Sequence, residues 1–143
     1  MSEAQAEKLS AQQVQAIFDK SPFIGFLGLK VVALDHGEGT LTVTMPMRSE
    51  LERYAGSGQF HGGPIASFID TVGDFAFGMS VGGGVPTINL RIDYLRPAVG
   101  RSLTATARVR RAGKTVTLVD VDVFDEQSKL VAVGRGTYSS LRG

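Results

Sequence analysis

The stretch His61-Gly62-Gly63-Pro64-Ile65-Ala66-Ser67-Phe68-Ile69-Asp70 brings together residue types that could do chemistry. Two glycines close a loop, a proline follows, and an apolar helix begins that carries one carboxylate early. Glycine lets a ligand approach the backbone closely. Proline suits the first helical position, where an amide hydrogen would be orphaned anyway. Free amides at a helix start point at anions or at a polarised carbonyl oxygen. An oxyanion site and a carboxylate a short distance apart suggest transfer of an acyl group to water.

The element that must position this chemistry is a helix over residues 64–80, ended by Gly82-Gly83-Gly84. At about 100° per residue, Ile65, Phe68, Ile69, Val72, Phe75, Ala76 and Met79 share one side. Gly63, Ala66, Ser67, Asp70, Gly73, Asp74 and Phe77 share the other. This second side is small residues around two carboxylates, whereas a solvated face would carry lysines and glutamates. It admits another backbone, a partner subunit or a ligand. Asp70 and Asp74 sit at i,i+4, where like charges repel mildly, and a tolerated local conflict marks a working site. The competing reading is that both aspartates are simply exposed, and it fits Asp74 better than Asp70.

Around this helix the pattern predicts one sheet. Ser10-Ala11-Gln12-Gln13 is a capping box for a helix running to Lys20, with Val14, Ile17 and Phe18 on its apolar side. Ser21-Pro22 stops it, and 23–29 reads as a short apolar connector. Strands are expected at 30–34 and 40–45, around the turn at 35–39, then at 86–95, 102–111, 115–124 and 130–139. Leu41, Val43 and Met45 alternate with Thr40, Thr42 and Thr44, as in a half-buried strand. Ala112-Gly113 makes a tight hairpin, and 125–128 turns the last pair. One sheet on one long helix is an α+β layout. The expected organisation is a single domain, 1–143, with 1–21 as an N-terminal helical extension.

Composition limits the alternatives. The chain has 143 residues and no cysteine, which excludes disulfides, thiolate metal sites and a cysteine nucleophile. The polar, acidic start and the lack of a long apolar run predict a cytoplasmic protein without a membrane span. Net charge is +1, but Arg91, Arg96, Arg101, Arg108, Arg110, Arg111 and Lys114 face only Asp93 between 91 and 114, so that segment carries +6 and the remainder −5. Only Tyr94 could stack on a base there, so a small phosphorylated ligand fits better than nucleic acid. The plainer reading is a solvated hairpin whose arginines pair with Asp120 and Asp122. Gly-x-Ser-x-Gly, a Walker A run and a complete dinucleotide fingerprint are all absent. His36 falls in a turn and is expected to be solvated. One remaining histidine with Asp70 is too little for a metal site; no metal or cofactor is expected.

The His61-Gly62-Gly63 run with Asp70 on the helix resembles the signature of hotdog-fold acyl-CoA thioesterases, of the phenylacetyl-CoA thioesterase-like branch. Thr87-Ile88-Asn89-Leu90-Arg91-Ile92-Asp93-Tyr94-Leu95-Arg96-Pro97-Ala98 is similar to that family's third strand, and the resemblance spans about residues 22 to 140. It implies a curved antiparallel sheet wrapped on one central helix, assembled as a homodimer or homotetramer with sites between subunits. It also implies an acyl-CoA substrate, so that coenzyme A enters with the substrate and is no separate cofactor. By resemblance, Asp70 is the general base or nucleophile, Gly62 gives its N–H to the thioester oxygen, and His61 shapes the site. Thr87 stands where relatives carry a Ser or Thr that holds the water or carboxylate, from the facing subunit. Many relatives have Asn six residues before the histidine; Ala55 stands there, and Gln59 is the nearby polar candidate. Phe60 and Phe77 are candidates for the acyl wall beside Gly63, and Arg110, Arg111 and Lys114 for the nucleotide phosphates. A non-catalytic acyl-CoA sensor on the same scaffold is the alternative. A hotdog dehydratase would need differently spaced His and acid residues.

Overall fold

The computed structural model describes residues 7–142. Its elements are α1 (Ala11–Lys20), α2 (Pro22–Leu27), β1 (Lys30–Asp35), β2 (Thr40–Pro46), a 3-10 turn (Ser49–Leu51), α3 (Gly62–Gly78), β3 (Thr87–Tyr94), β4 (Ser102–Ala112), β5 (Val116–Phe124) and β6 (Leu130–Ser139). The strands form one antiparallel sheet in the order β1-β2-β4-β5-β6-β3. The expected α+β architecture, a curved sheet on one long helix, is what the chain adopts.

Alternation along the strands builds the core. Leu41, Val43 and Met45 of β2, Leu103, Ala105 and Ala107 of β4, and Val119, Val121 and Val123 of β5 all turn toward α3 and are buried. The apolar side of α3 meets them through Phe68, Ile69, Val72, Phe75 and Ala76. Where helix and sheet come closest, β6 carries Gly134, on which a Cβ would overlap Ile69. At the start of the chain, the capping box forms as expected: Gln13 N donates to Ser10 Oγ at 3.2 Å and Ser10 N to Gln13 Oε1 at 2.8 Å. Phe18 of α1 sets its ring edge-on to Phe75, with centroids 5.0 Å apart, so this segment shares the central core.

Two local expectations are corrected. The connector at 23–29 is mostly the helix α2, which starts on the Ser21 cap and ends at Gly28 in the left-handed region. Six residues are too few to show a helical period, and a Ser-Pro pair that stops one helix equally starts the next. His36 is not free in solvent. Its Nε2 lies 2.7 Å from the Leu9 carbonyl oxygen, and its Nδ1 is buried with no hydrogen-bond partner among the described residues. The segment preceding α1 folds back over the β1–β2 turn, with Leu9 N donating to Met79 O, and a turn sequence carries no trace of that. Among the described residues no helix is long and apolar enough to cross a membrane.

Candidate active site

His61 is the N-cap of α3, and its side chain makes no capping hydrogen bond. The first N–H groups of a helix have no partner within it, so the Gly62 and Gly63 amides stay available. The backbone around them is held firmly. Phe60 N donates to Ala98 O and His61 N to Leu51 O, both at 2.8 Å, while the Tyr94 hydroxyl donates to Gly62 O at 2.8 Å.

Gly62 faces a cleft of about 360 Å³ that is also lined by Arg53, Gln59, His61, Tyr94 and Arg96. The Glu52 carboxylate accepts from the Gly56 and Gly58 amides, which folds the loop tightly. A bridge between Gln59 and Val99 then brings Arg53 and Arg96 to the same opening. Among the described residues, no carboxylate lies within ion-pair distance of either guanidinium. Gln59 brings a side-chain amide to this cleft, whereas Ala55 is exposed in the loop. Gly63 faces a second groove, about 300 Å³, lined by Phe23, Phe26, Leu51, Pro64 and Ser67. Phe60 is buried against the first cleft, but Phe77 is buried toward the far end of α3 and lines neither space.

Asp70 is half-buried, and its Oδ1 accepts from the Thr87 hydroxyl at 2.8 Å. Thr87 was expected to reach the carboxylate from a facing subunit, and the bond instead closes within one chain. The antiparallel course of α3 over β3 explains it: the helix starts over Tyr94 and ends toward Thr87. Beneath, the Tyr138 hydroxyl donates to the Asp70 carbonyl at 3.1 Å. Burial, followed by the charges of Asp70 and Asp74, pushes the Tyr138 phenol well above its usual range.

Asp74 is not the freely exposed group that its position suggested. Its Oδ1 accepts from Val85 N at 2.8 Å, in the loop leading to β3. Burial pushes its carboxyl up to about 7; the Val85 bond opposes this and the nearby Asp70 charge adds to it.

Arg110, Arg111 and Lys114 lie on or beside the β4–β5 turn, away from the cleft of their own chain. Ala112, Thr117, Tyr138 and Thr87 share one register row, whereas the cleft lies at the Tyr94 end of β3. Those ends are about 23 Å apart along the strand. Arg110 Nε is 3.5 Å from Asp120 Oδ2, and Arg135 holds the same carboxylate at 2.7 and 3.1 Å. The Arg135 hydrogen bonds are the main reason the Asp120 carboxyl lies below its ordinary range. The pairing reading of the hairpin therefore holds at Asp120. Sequence reasoning missed Phe23, Phe26, Arg53 and the shared place of Tyr94 and Arg96 at the cleft. The last two stood within a recognised block; Arg53 gave no signal, because a loop bridge alone places it.

A curved antiparallel sheet on a helix that opens with a glycine pair and carries an acid two turns on defines a hotdog-fold enzyme. Residues 57–132 match the family model described as Thioesterase superfamily. The chain is 32% identical over 134 residues to the acyl-coenzyme A thioesterase PaaI of Escherichia coli, covering 92% of this chain and 91% of that one. A shorter stretch of 52 residues is 42% identical to the medium/long-chain acyl-CoA thioesterase YigI of Escherichia coli, 36% of this chain and 34% of the relative. The solved structure of the E. coli PaaI protein from the phenylacetic acid degradation operon superimposes with a TM-score of 0.79 at 31% identity, covering 92% and 93% of the two chains. Zebra fish thioesterase superfamily member 2 gives 0.81 at 26% identity, covering 93% and 99%. The chain belongs to the thioesterase superfamily, and its class of activity is thioester hydrolysis.

Proposed function

We propose that the protein hydrolyses acyl-CoA thioesters, with Asp70 acting as general base on water or as nucleophile and the Gly62 N–H holding the oxyanion. The observation that carries this is a carboxylate fixed by Thr87 on the same helix whose uncapped glycines open onto a cationic cleft. The relatives named as acyl-CoA thioesterases support the substrate class. A thioester carbonyl is already activated and its thiolate leaves readily, so one carboxylate and one oxyanion donor suffice.

Donor and carboxylate must both reach one carbonyl group. Within a single chain, eight helical residues separate Gly62 from Asp70, which is about 12 Å of rise. The working site is therefore built across a two-fold interface, with Gly62 of one protomer facing Asp70 of the partner subunit. Two features favour such a dimer. β3 is an edge strand with Ile88 and Tyr94 exposed and Leu95 exposed just beyond its end, and bare edges pair readily. The Gly63, Ala66, Ser67 and Asp70 side of α3 is small enough for close approach. A homotetramer would be two such dimers. In this arrangement Arg53 and Arg96 take the nucleotide phosphates, Gln59 and His61 bound the thioester, and the Phe23–Phe26 groove takes the acyl group. Arg111 and Lys114 approach from the partner's side, and the cytoplasmic acyl-CoA pool supplies the substrate.

Thiol release from a panel of acyl-CoAs tests the reading. The wild type should turn over at least one member, and Asp70→Ala should lose about 10²- to 10⁴-fold in kcat with the far-UV spectrum unchanged. Equal rates for the two proteins would remove Asp70 from the chemistry. Tight binding without thiol release would make the protein a sensor.

A further inference from the structure

Asp70 is only as well placed as the hydroxyl that holds it, and Thr87 sits in a demanding position. It is the first residue of β3, and the strand's register slips between Thr87 and Asn89. Such a bulge re-aims neighbouring side chains. Just before it, the chain leaves α3 through Gly82-Gly83-Gly84, where Gly82 (φ 89°) and Gly83 (φ 156°) adopt backbone geometry that few other residues tolerate. Three glycines in succession would leave the start of β3 free to wander. Three hydrogen bonds limit this: Gly83 N donates to Gly78 O at 2.9 Å, Val85 N donates to Asp74 Oδ1 at 2.8 Å, and Ser139 N of β6 donates to Pro86 O at 2.8 Å. The second lies two residues from Thr87 and anchors to the helix that carries Asp70, one turn farther on.

We infer that Asp74 is a positioning residue for catalysis: by clamping the Val85 amide to α3, it fixes where β3 begins and so delivers the Thr87 hydroxyl to the Asp70 carboxylate. The clamp ties two points on one helix to the loop and to the first residue of the strand that follows it, through Asp74–Val85 and Asp70–Thr87. The other titratable neighbour is Tyr138 from β6, whose hydroxyl is already spent on the Asp70 carbonyl. Burial keeps the Asp74 carboxyl proton up to about pH 7, and its neutral form accepts from Val85 without setting a second full charge beside Asp70. The role needs an acceptor oxygen at this point rather than a charge.

This inference rests on the proposed hydrolysis for its kinetic arm and is independent of it for its structural arm. Asp74→Ala should lower kcat about 10- to 100-fold with little change in KM, the size expected from misplacing a catalytic group by about 1 Å. Asp74→Asn, which keeps the acceptor oxygen, should recover most of that loss. Because both residues act through the same bond, the double variant with Thr87→Ala should be no worse than Thr87→Ala alone. Multiplying losses, or an Asp74→Asn as impaired as Asp74→Ala, would overturn the inference. In the structural arm, hydrogen exchange at the Val85 amide should be slow in the wild type and Asp74→Asn and fast in Asp74→Ala. A crystal structure of Asp74→Ala should show Thr87 Oγ1 out of hydrogen-bond reach of Asp70. An unmoved Thr87 in that variant would also overturn it, whatever substrate the enzyme takes. A wild type that cleaves no thioester, with the structural arm as expected, would sink the activity and leave the clamp standing.

Discussion

At the scale of single residues, the cleft beside Gly62 has two guanidiniums with no carboxylate within ion-pair distance among the described residues, while Arg110 shares Asp120 with Arg135. This difference ranks the cations for phosphate binding. Arg53→Ala and Arg96→Ala should each raise KM for acyl-CoA about tenfold, the value of one charge-assisted hydrogen bond partly screened by water, with kcat unchanged. The penalty should vanish with a thioester truncated at the pantetheine, and Arg110→Ala should have little effect in the same assay. That His61 and Gly62 open the helix carrying Asp70 was legible in the sequence, because their relation lies within one loop and two helical turns. The Thr87–Asp70 contact was expected but not its geometry: it closes over 17 residues within one chain and depends on the direction in which α3 crosses β3. Arg96 was legible only as one of seven cations in a basic segment and Arg53 not at all, because nothing in either segment announces the bridge that joins them.

At the scale of elements, the spacing between α3 and the sheet is set by glycines. A Cβ on Gly73 would overlap the Tyr138 hydroxyl, and Gly136 makes room for the same ring. Gly73→Ala should therefore lower unfolding stability by about 1–3 kcal/mol, the usual cost of overpacking a core, as read from the denaturant midpoint. Tyr138→Phe in the Gly73→Ala background should restore part of that loss, since it removes the colliding oxygen; on its own it should destabilise, since it removes the bond to the Asp70 carbonyl. The strands and the long helix were legible because alternation and helical period run far enough to be read. α2 was not, since six residues give no period, and the pinning of His36 by Leu9 was not, since it joins a turn to a distant backbone carbonyl.

At the scale of the whole molecule, two carboxyls pull the pH dependence of stability in opposite directions. Asp74 titrates near 7 in the folded chain, against about 4 in an unfolded one. Between those values the folded chain holds a proton that the unfolded chain has released, so stability falls as pH rises through this window. Asp120 is shifted the other way: its support is present above the ordinary carboxylate range and is lost as pH drops into it. Thermal melts should show the wild type more stable near pH 5 than near pH 8, with Asp74→Asn flattening that slope. A slope that survives the substitution would mean that Asp74 is already ionised at pH 5.

The strand order carries a consequence for how the molecule is made. β3 has one neighbour in the sheet, β6, whose residues leave the ribosome some three dozen positions later. During translation the strand that bears Thr87 has α3 to lie against but no strand to pair with, and Tyr138, which shores up the Asp70 turn from below, has yet to be synthesised. Contacts this distant in sequence form late and slowly. A nascent chain can assemble β1, β2, β4 and β5 against the long helix and still lack the pairing with β6 that holds Thr87 beside Asp70. A premature stop anywhere before β6 should yield a soluble-looking fragment that is both inert and prone to capture by other unpaired strands.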